Sequence, residues 1–357
     1  MSDRLIINLS FLLTQPTGTT TYTLNLLPHL HSCNPTLLAS KPIASYNCYQ
    51  VPAKQTAEQG LKGHLRRILW TQWQLPTIYQ QLRSRLLFSP IPEAPLYSNC
   101  RYVVMVHDLI PLRFPKRLSP LTPYFRYYIP QVLAQAEHII CNSAATARDL
   151  TDFFRIPEKK IIPILLAYDT NHFRFLDLPS RNYFLYIGRH EPYKNLQSLI
   201  DAFAALPSCR DYELWLAGSP DRRYTPSLKA KVEQLGISNQ VKFLDYVPYE
   251  QLPTIINQAI ALVFPSLWEG FGLPVLEAMA CGTPVITSNL SSLPEVAGDA
   301  AILVNPYNTG EITEAMQTVA TDSALRSRLR TLGLNRASQF SWAKTGLATA
   351  EVLKRYL

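Results

Sequence analysis

The chain lacks any apolar run near the about 18 residues that a membrane-crossing helix needs. Its longest apolar runs, such as residues 259–264, have strand length. Low-complexity tracts and short internal repeats are also missing. Charged residues make up only 17 % against 47 % apolar residues, which excludes a disordered chain and allows a sizeable core. Residues 5–13 follow a single arginine and carry no small-residue cleavage site, so they read as a first strand rather than a signal peptide. The six cysteines (Cys33, Cys48, Cys100, Cys141, Cys209, Cys281) show no CxxC spacing and no histidine at metal-ligand spacing. Reduced thiols in a cytoplasmic protein are expected, with neither a disulfide framework nor a bound metal. No nucleic-acid recognition motif is present, so nucleic acid is not an expected partner.

What is there suits two domains, given 357 residues. The charge is uneven. Residues 1–180 hold 18 Lys and Arg against 10 Asp and Glu, whereas residues 181–357 hold 16 of each. The excess positive charge in the first half fits an anionic partner there (a membrane surface, a lipid-linked phosphate or a nucleic acid) or an ordinary basic surface. Short β-branched and aromatic runs at residues 5–9, 102–106, 138–141, 160–163, 183–187, 213–217, 241–244, 261–264, 284–287 and 301–304 predict strands. Helical patterns separate most of them. Within residues 195–206, Leu196, Leu199, Ile200 and Phe203 repeat at helical spacing. This alternation, occurring twice, predicts an α/β protein with two parallel sheets covered by helices. Residues 169–182 have no clear periodicity and are expected to link the halves. The last stretch, residues 342–356, reads as an amphipathic helix.

Six segments carry candidate chemistry. In ALVFPSLWEGFGLPVLEAMACGTPVIT (residues 261–287) a strand runs into a loop with Gly270 and Gly272, then into a helix opened by Pro274 and closed at Gly282. Glycines between the C-end of a strand and a helix N-terminus suit a phosphate, because backbone N–H groups can approach it and the helix dipole favours anions. Glu269 opens the loop, and Glu277 lies one turn into the helix, within reach of ribose hydroxyls. A tight turn with a dipole-stabilising glutamate fits the same spacing. In residues 183–195 a strand ends at Gly188, followed by Arg189 and Lys194, two cations suited to a diphosphate or to plain solvation. His107 follows the strand at 102–106 and is suited to contacting a sugar and stabilising charge, or to a structural role. Asp108 beside it suits capping of the next turn. Gly18 lies in QPTGTTTY (residues 15–22) after the first strand and before a helix at 22–30. In CNSAATARDL (residues 141–150), Asn142 or Ser143 suits a helix cap. LKGHLRRILWTQW (residues 61–73) sets Lys62, Arg66 and Arg67 beside Leu65, Ile68, Leu69, Trp70 and Trp73. It suits an anionic membrane surface or a core-packing helix with a solvated basic face.

The pair Glu269/Glu277 at E-x7-E spacing, with GFGLP between them and EAMACGTPVI after, resembles the signature of the family-4 retaining glycosyltransferases (group 1, GT-B fold). SSLPEVAGDAAILVNP (residues 291–306) and IGRHEPYKN (residues 187–195) are similar to motifs of the same family, in the same order. The resemblance implies two Rossmann-like domains facing each other across a cleft. Residues 1–170 would bind the acceptor, residues 171–340 the nucleotide sugar, and residues 341–357 would form a helix returning to the first domain. It further implies transfer of a mannose- or glucose-type hexose from a GDP- or UDP-sugar to a glycan or lipid-linked acceptor. Cell-surface polysaccharide synthesis is the implied setting, with retention of configuration, no cofactor and no metal, in a cytoplasmic or peripheral membrane protein. His107, Glu269, Arg189 and Lys194 would serve catalysis. Gly18, Gly188, Arg189, Lys194, Gly270, Phe271, Gly272, Leu273 and Glu277 would bind the donor. The sequence departs from the family at two places. Gly18 stands without a second glycine, and Leu166-Ala167-Tyr168-Asp169 keeps only the aspartate of the usual Asn-Gly-x-Asp turn. A GT-B nucleotide-sugar epimerase and a non-catalytic sugar-nucleotide-binding protein are the alternatives.

Overall fold

The computed structural model describes residues 5–13, 18–116, 119 and 121–357. The chain divides into two compact units, residues 1–166 with 341–357, and residues 167–340. In unit one the strands are β1 (Leu5–Asn8), β2 (Thr36–Ala39), β3 (Asn47–Gln50), β4 (Leu86–Ser89), β5 (Tyr102–Val106), β6 (His138–Cys141) and β7 (Ile161–Pro163). They form one parallel sheet in the order β3-β2-β1-β4-β5-β6-β7. In unit two β8 (Tyr183–Ile187), β9 (Glu213–Ala217), β10 (Val241–Leu244), β11 (Ala261–Phe264), β12 (Val285–Ser288) and β13 (Ile302–Val304) form a second parallel sheet, β10-β9-β8-β11-β12-β13. The central strands are buried along their whole length, as YVVMV in β5 and ALVF in β11, the signature of a sheet covered on both faces.

All ten strands expected from sequence are present, and three are additional. β2 and β4 are four-residue apolar runs too short for periodicity to separate from helix. β3 is an edge strand, Asn-Cys-Tyr-Gln, whose ends are exposed. Residues 169–182, expected to link the halves, pack on unit two. The Leu176 N–H donates to Asn257 Oδ1 (2.8 Å), and His172 stacks on Tyr249 with centroids 3.8 Å apart. The C-terminal helix Trp342–Lys354 packs on unit one, where Thr345 Oγ1 donates to the Leu165 carbonyl (2.7 Å) and Trp342 lies against Tyr22.

Strand order reverses in each sheet where connections leave in opposite directions: between β1 and β4, and between β8 and β11. At such a point the loops beyond the carboxyl ends of the two strands part and leave a crevice, the usual ligand position in an open parallel sheet. Most sequence candidates lie on those loops or beside them.

Candidate functional site

In unit two the loops after β8 and β11 meet. Beyond β8, the Gly188 N–H donates to the Ala217 carbonyl (2.9 Å) and φ is +154°. A Cβ at this position would lie 2.6 Å from the Tyr186 hydroxyl oxygen, so glycine is required. Tyr186 in turn donates to the Arg189 carbonyl (3.1 Å), fixing the backbone that carries Arg189. The Arg189 side chain is exposed and makes no ion pair among the described residues. A 3-10 turn, Pro192–Lys194, then carries Lys194 inward. The Leu267 N–H donates to the Tyr193 carbonyl (2.8 Å) and ties the two loops together. As a result Lys194 and Glu269, 75 residues apart, pair with Nζ 2.5 Å from Oε1. Both are almost buried, at 9 % and 8 % exposure. One of three ammonium N–H groups is used in this pair, leaving two for a ligand's anionic oxygens.

The turn that holds Glu269 is itself anchored. The Glu269 N–H donates to Ser291 Oγ (3.0 Å). Ser292 Oγ donates to the carbonyls of Glu269 (3.0 Å) and Phe271 (2.7 Å). Gly272 sits at φ +112° and begins the helix Leu273–Ala280, which no side chain caps. The N–H groups of Phe271, Gly272 and Leu273 have no hydrogen-bond partner among the described residues. The Phe271 ring packs edge-on against Phe340, so this residue offers a ligand its backbone rather than its side chain. Glu277, on the same helix, has its carboxyl raised to about 7 by burial and, to a lesser degree, by the Asp169 carboxylate. Asp169 accepts from the N–H groups of Asn171 (3.0 Å) and His172 (3.3 Å) and from the Tyr249 hydroxyl (3.5 Å). Asp169 thus closes a turn even without the usual Asn-Gly before it. Gly188, Arg189, Lys194, Glu269, Gly270, Phe271, Gly272, Leu273 and Glu277 therefore lie on the β8 and β11 loops and the helix that follows. Ser291 and Ser292, which hold the turn, were not singled out from sequence. Their signal was two adjacent hydroxyls just beyond a predicted strand.

In unit one the first helix, α1, starts at Gly18 itself and runs Gly18–Leu26, followed by a 3-10 segment Leu27–Cys33. The expected helix at 22–30 is thus shifted by four residues, and Gly18 occupies its first turn rather than the loop before it. A Cβ there would meet nothing within 4 Å. Residues 15–17 of the expected glycine loop lie outside the described residues. Ser143 caps its helix by accepting the Thr146 N–H (3.0 Å), and Asp108 accepts the Ile110 N–H (3.0 Å), as their residue types predict. His107, after β5, places Nε2 3.0 Å from the Pro90 carbonyl oxygen, and Tyr22 packs edge-on with centroids 5.0 Å apart. A carbonyl only accepts, so Nε2 carries the proton and Nδ1 presents a lone pair. Burial lowers the His107 pKa to about 4, against a smaller opposing effect of the Pro90 bond. His107 is therefore neutral at pH 7 and offers a hydrogen-bonding dipole.

The segment at 61–73 forms helix α2 (Gly60–Trp73) and matches neither expectation in full. It packs on unit one through Gly63, Arg67, Trp70 and Thr71. Arg67, expected on a basic face, is buried and paired to Glu93 through two bonds of 2.7 and 2.8 Å. Leu61, Leu65, Leu69 and Trp73 are exposed by half or more, Trp73 by 76 %, with Lys62 and Arg66 exposed beside them. No helix among the described residues is long and apolar enough to cross a membrane. Likewise, no group of three or more His, Cys, Asp or Glu among them is placed to hold a metal ion.

Both units have relatives among known proteins. Residues 16–172 match the family described as Glycosyltransferase Family 4, and residues 169–336 match Glycosyl transferases group 1. O-antigen chain mannosyltransferase B of Escherichia coli is 31 % identical over 269 residues, covering 71 % of this chain and 70 % of that protein. The serotype-specific mannosyltransferase WbdA of Escherichia coli is 31 % identical over 287 residues, covering 75 % of this chain but only 34 % of that longer protein. Among solved structures, sucrose-phosphate synthase of Thermosynechococcus elongatus superposes with a TM-score of 0.78 at 18 % identity, covering 99 % of this chain and 98 % of that one. WaaG, a glycosyltransferase involved in lipopolysaccharide biosynthesis, gives 0.75 at 15 % identity, covering 98 % and 99 %. Anabaena HepE, solved in complex with UDP and glucose, gives 0.75 at 19 % identity, covering 99 % of each. The two parallel sheets, the loops at their switch points and these matches agree: the chain is a glycosyltransferase of GT-B fold and belongs to the family-4, group 1 glycosyltransferases.

Proposed function

We propose that this enzyme moves a mannose- or glucose-type hexose from a GDP- or UDP-sugar to a glycan or lipid-linked acceptor in cell-surface polysaccharide synthesis. The observation that carries the reading is the Lys194–Glu269 pair, set beside unpartnered backbone N–H groups at the switch point of the second sheet. Lys194, Arg189 and the N–H groups of Phe271, Gly272 and Leu273 would hold the diphosphate. Glu277 would accept from the ribose hydroxyls. The second carboxylate oxygen of Glu269, and His107, would bind hydroxyls of the transferred sugar. The mannosyltransferase relatives support a hexose donor and a polysaccharide product, and the HepE complex supports a UDP-type nucleotide equally well.

In this reading the bond between the anomeric carbon and the β-phosphate oxygen breaks. The acceptor oxygen bonds to that carbon from the same face, so configuration is retained, and its proton leaves with the departing diphosphate. Charge accumulates on that diphosphate. Preformed donors there lower the barrier because they are oriented before the charge appears. No protein carboxylate serves as nucleophile, which separates this chemistry from that of a retaining glycosidase pair, and no metal or cofactor is needed. The acceptor belongs to unit one in this scheme. The exposed apolar stripe of α2 with Lys62 and Arg66 supports a peripheral position on an anionic bilayer, where such acceptors are anchored.

The test is incubation with GDP-mannose, UDP-glucose and related donors, following nucleoside diphosphate release and the sugar product. Release of a free sugar epimer in the absence of acceptor points to the epimerase alternative. Binding without turnover across donors and acceptors points to a binding protein.

A further inference from the structure

Arg67 and Glu93 form a charged pair inside unit one that the reaction scheme does not use. Glu93 is 1 % exposed and Arg67 8 %. Their two bonds have fork-to-fork geometry, Nε to Oε2 at 2.7 Å and an Nη to Oε1 at 2.8 Å. Further bonds hold both side chains. Arg67 donates to the Gln55 carbonyl (3.0 Å) and to His64 Nδ1 (2.8 Å), and Tyr124 donates its hydroxyl to Glu93 Oε1 (2.8 Å). Burial alone would raise the Glu93 carboxyl. The Arg67 charge and bonds, helped by His64 and Tyr124, hold it below the usual carboxylate range. An apolar pair of equal volume stabilises a core about as well as a buried ion pair. What the fork adds is a fixed orientation.

The orientation it fixes is that of the loop after β4, beside the switch point of the first sheet. Pro90, Pro92 and Pro95 stiffen this loop. Glu93 clamps its middle to α2. The Ala94 carbonyl accepts from Gln72 Nε2 and from the Tyr128 hydroxyl, each at 3.0 Å. At the loop's start, the Pro90 carbonyl receives the His107 Nε2–H. We propose that Arg67 and Glu93 are positioning residues for His107: they hold the Pro90 carbonyl where it fixes one imidazole tautomer and leaves Nδ1 as the ring's acceptor. The proposal rests on the reading of His107 as a sugar-contacting group.

The test compares full-length wild type with Arg67→Met/Glu93→Leu, which replaces both charges and so leaves neither buried alone, and with Glu93→Gln. Circular dichroism and UDP or GDP binding establish that each variant is folded with its nucleotide site intact. Nitrogen-15 NMR of the His107 ring then reads the tautomer directly, and donor turnover reads the consequence. The expected result in the double variant is unchanged nucleotide affinity, His107 nitrogens averaging between two tautomers, and kcat reduced at least tenfold. Glu93→Gln, which still accepts from Arg67, is expected to fall between. A folded double variant with the wild-type Nε2–H tautomer and wild-type kcat overturns the proposal. His107→Ala separates the two claims. If that variant keeps wild-type turnover, the sugar-contact reading fails, while the NMR comparison still decides whether the clamp sets the tautomer.

Discussion

Glu277 joins two properties that make it measurable: a position one turn into a helix beside the donor loop, and a carboxyl raised to about 7. Ribose hydroxyls donate, so they bind the ionised form. Nucleotide affinity is therefore expected to rise as pH increases through about 7, and isothermal titration at several pH values checks this. The stability linkage runs the other way. The folded carboxyl titrates above its ordinary 4.5, so its contribution is fully present below that value and is lost as pH rises through about 7. Glu277→Gln should flatten both dependences and weaken nucleotide binding by about 10- to 100-fold, the range for a hydrogen bond to a charged group. In the proposed scheme Lys194→Ala removes a donor from the departing diphosphate, and it leaves Glu269 buried without its cation. Turnover should fall by about 100- to 1,000-fold, as when one preformed transition-state donor is lost, and steady-state kinetics on the donor read it. The placement of Glu269, Glu277 and Lys194 was legible in sequence because local spacing sets it: each lies a fixed few residues from a strand end or helix start. Arg67 was not. Which face of α2 turns inward is decided by Glu93, 26 residues away, and no periodicity within 61–73 contains that partner.

At the scale of elements, the loop between β11 and the helix Leu273–Ala280 is held by β12's neighbours as much as by its own glycines. Ser292 donates to two of its carbonyls. Ser292→Ala leaves these carbonyls with one donor fewer and is expected to destabilise the protein by about 1–3 kcal/mol, with loss of nucleotide affinity larger than this surface-remote position suggests. Denaturant melts with and without nucleotide check it. The strand–loop–helix units of the second sheet were readable because Pro265, Pro274, Gly282 and Pro284 punctuate them. β2, β3 and β4 were not, since each depends on a neighbouring strand for its definition: β2 and β4 flank β1, and β3 pairs with β2. Helix α2 shows the same limit at its surface. Its outward stripe of Leu61, Leu65, Leu69 and Trp73 looked equally suited to a core. If that stripe meets a bilayer, Leu65→Asp/Leu69→Asp should abolish sedimentation with phosphatidylglycerol vesicles while leaving nucleotide binding unchanged.

Across the whole molecule, charge follows the division into units. Unit one carries 20 Lys and Arg against 9 Asp and Glu, and unit two 14 against 17. The sequence-level asymmetry between halves therefore becomes sharper once the C-terminal helix joins unit one. Each basic residue near an anionic surface contributes about 1 kcal/mol, screened by salt. Vesicle binding is accordingly expected to weaken steeply between low and physiological ionic strength. The central claim is that unit two holds a nucleotide-sugar donor through the loop and helix that carry Glu269 and Glu277. The most direct test is thermal unfolding of wild type and Glu277→Ala with UDP, GDP and ADP. At 100-fold excess over Kd a ligand stabilises the native state by about 2.7 kcal/mol. The account predicts a clear rise in Tm with UDP or GDP in the wild type and its loss in Glu277→Ala. An equal rise in both proteins, or none with any nucleotide, contradicts it.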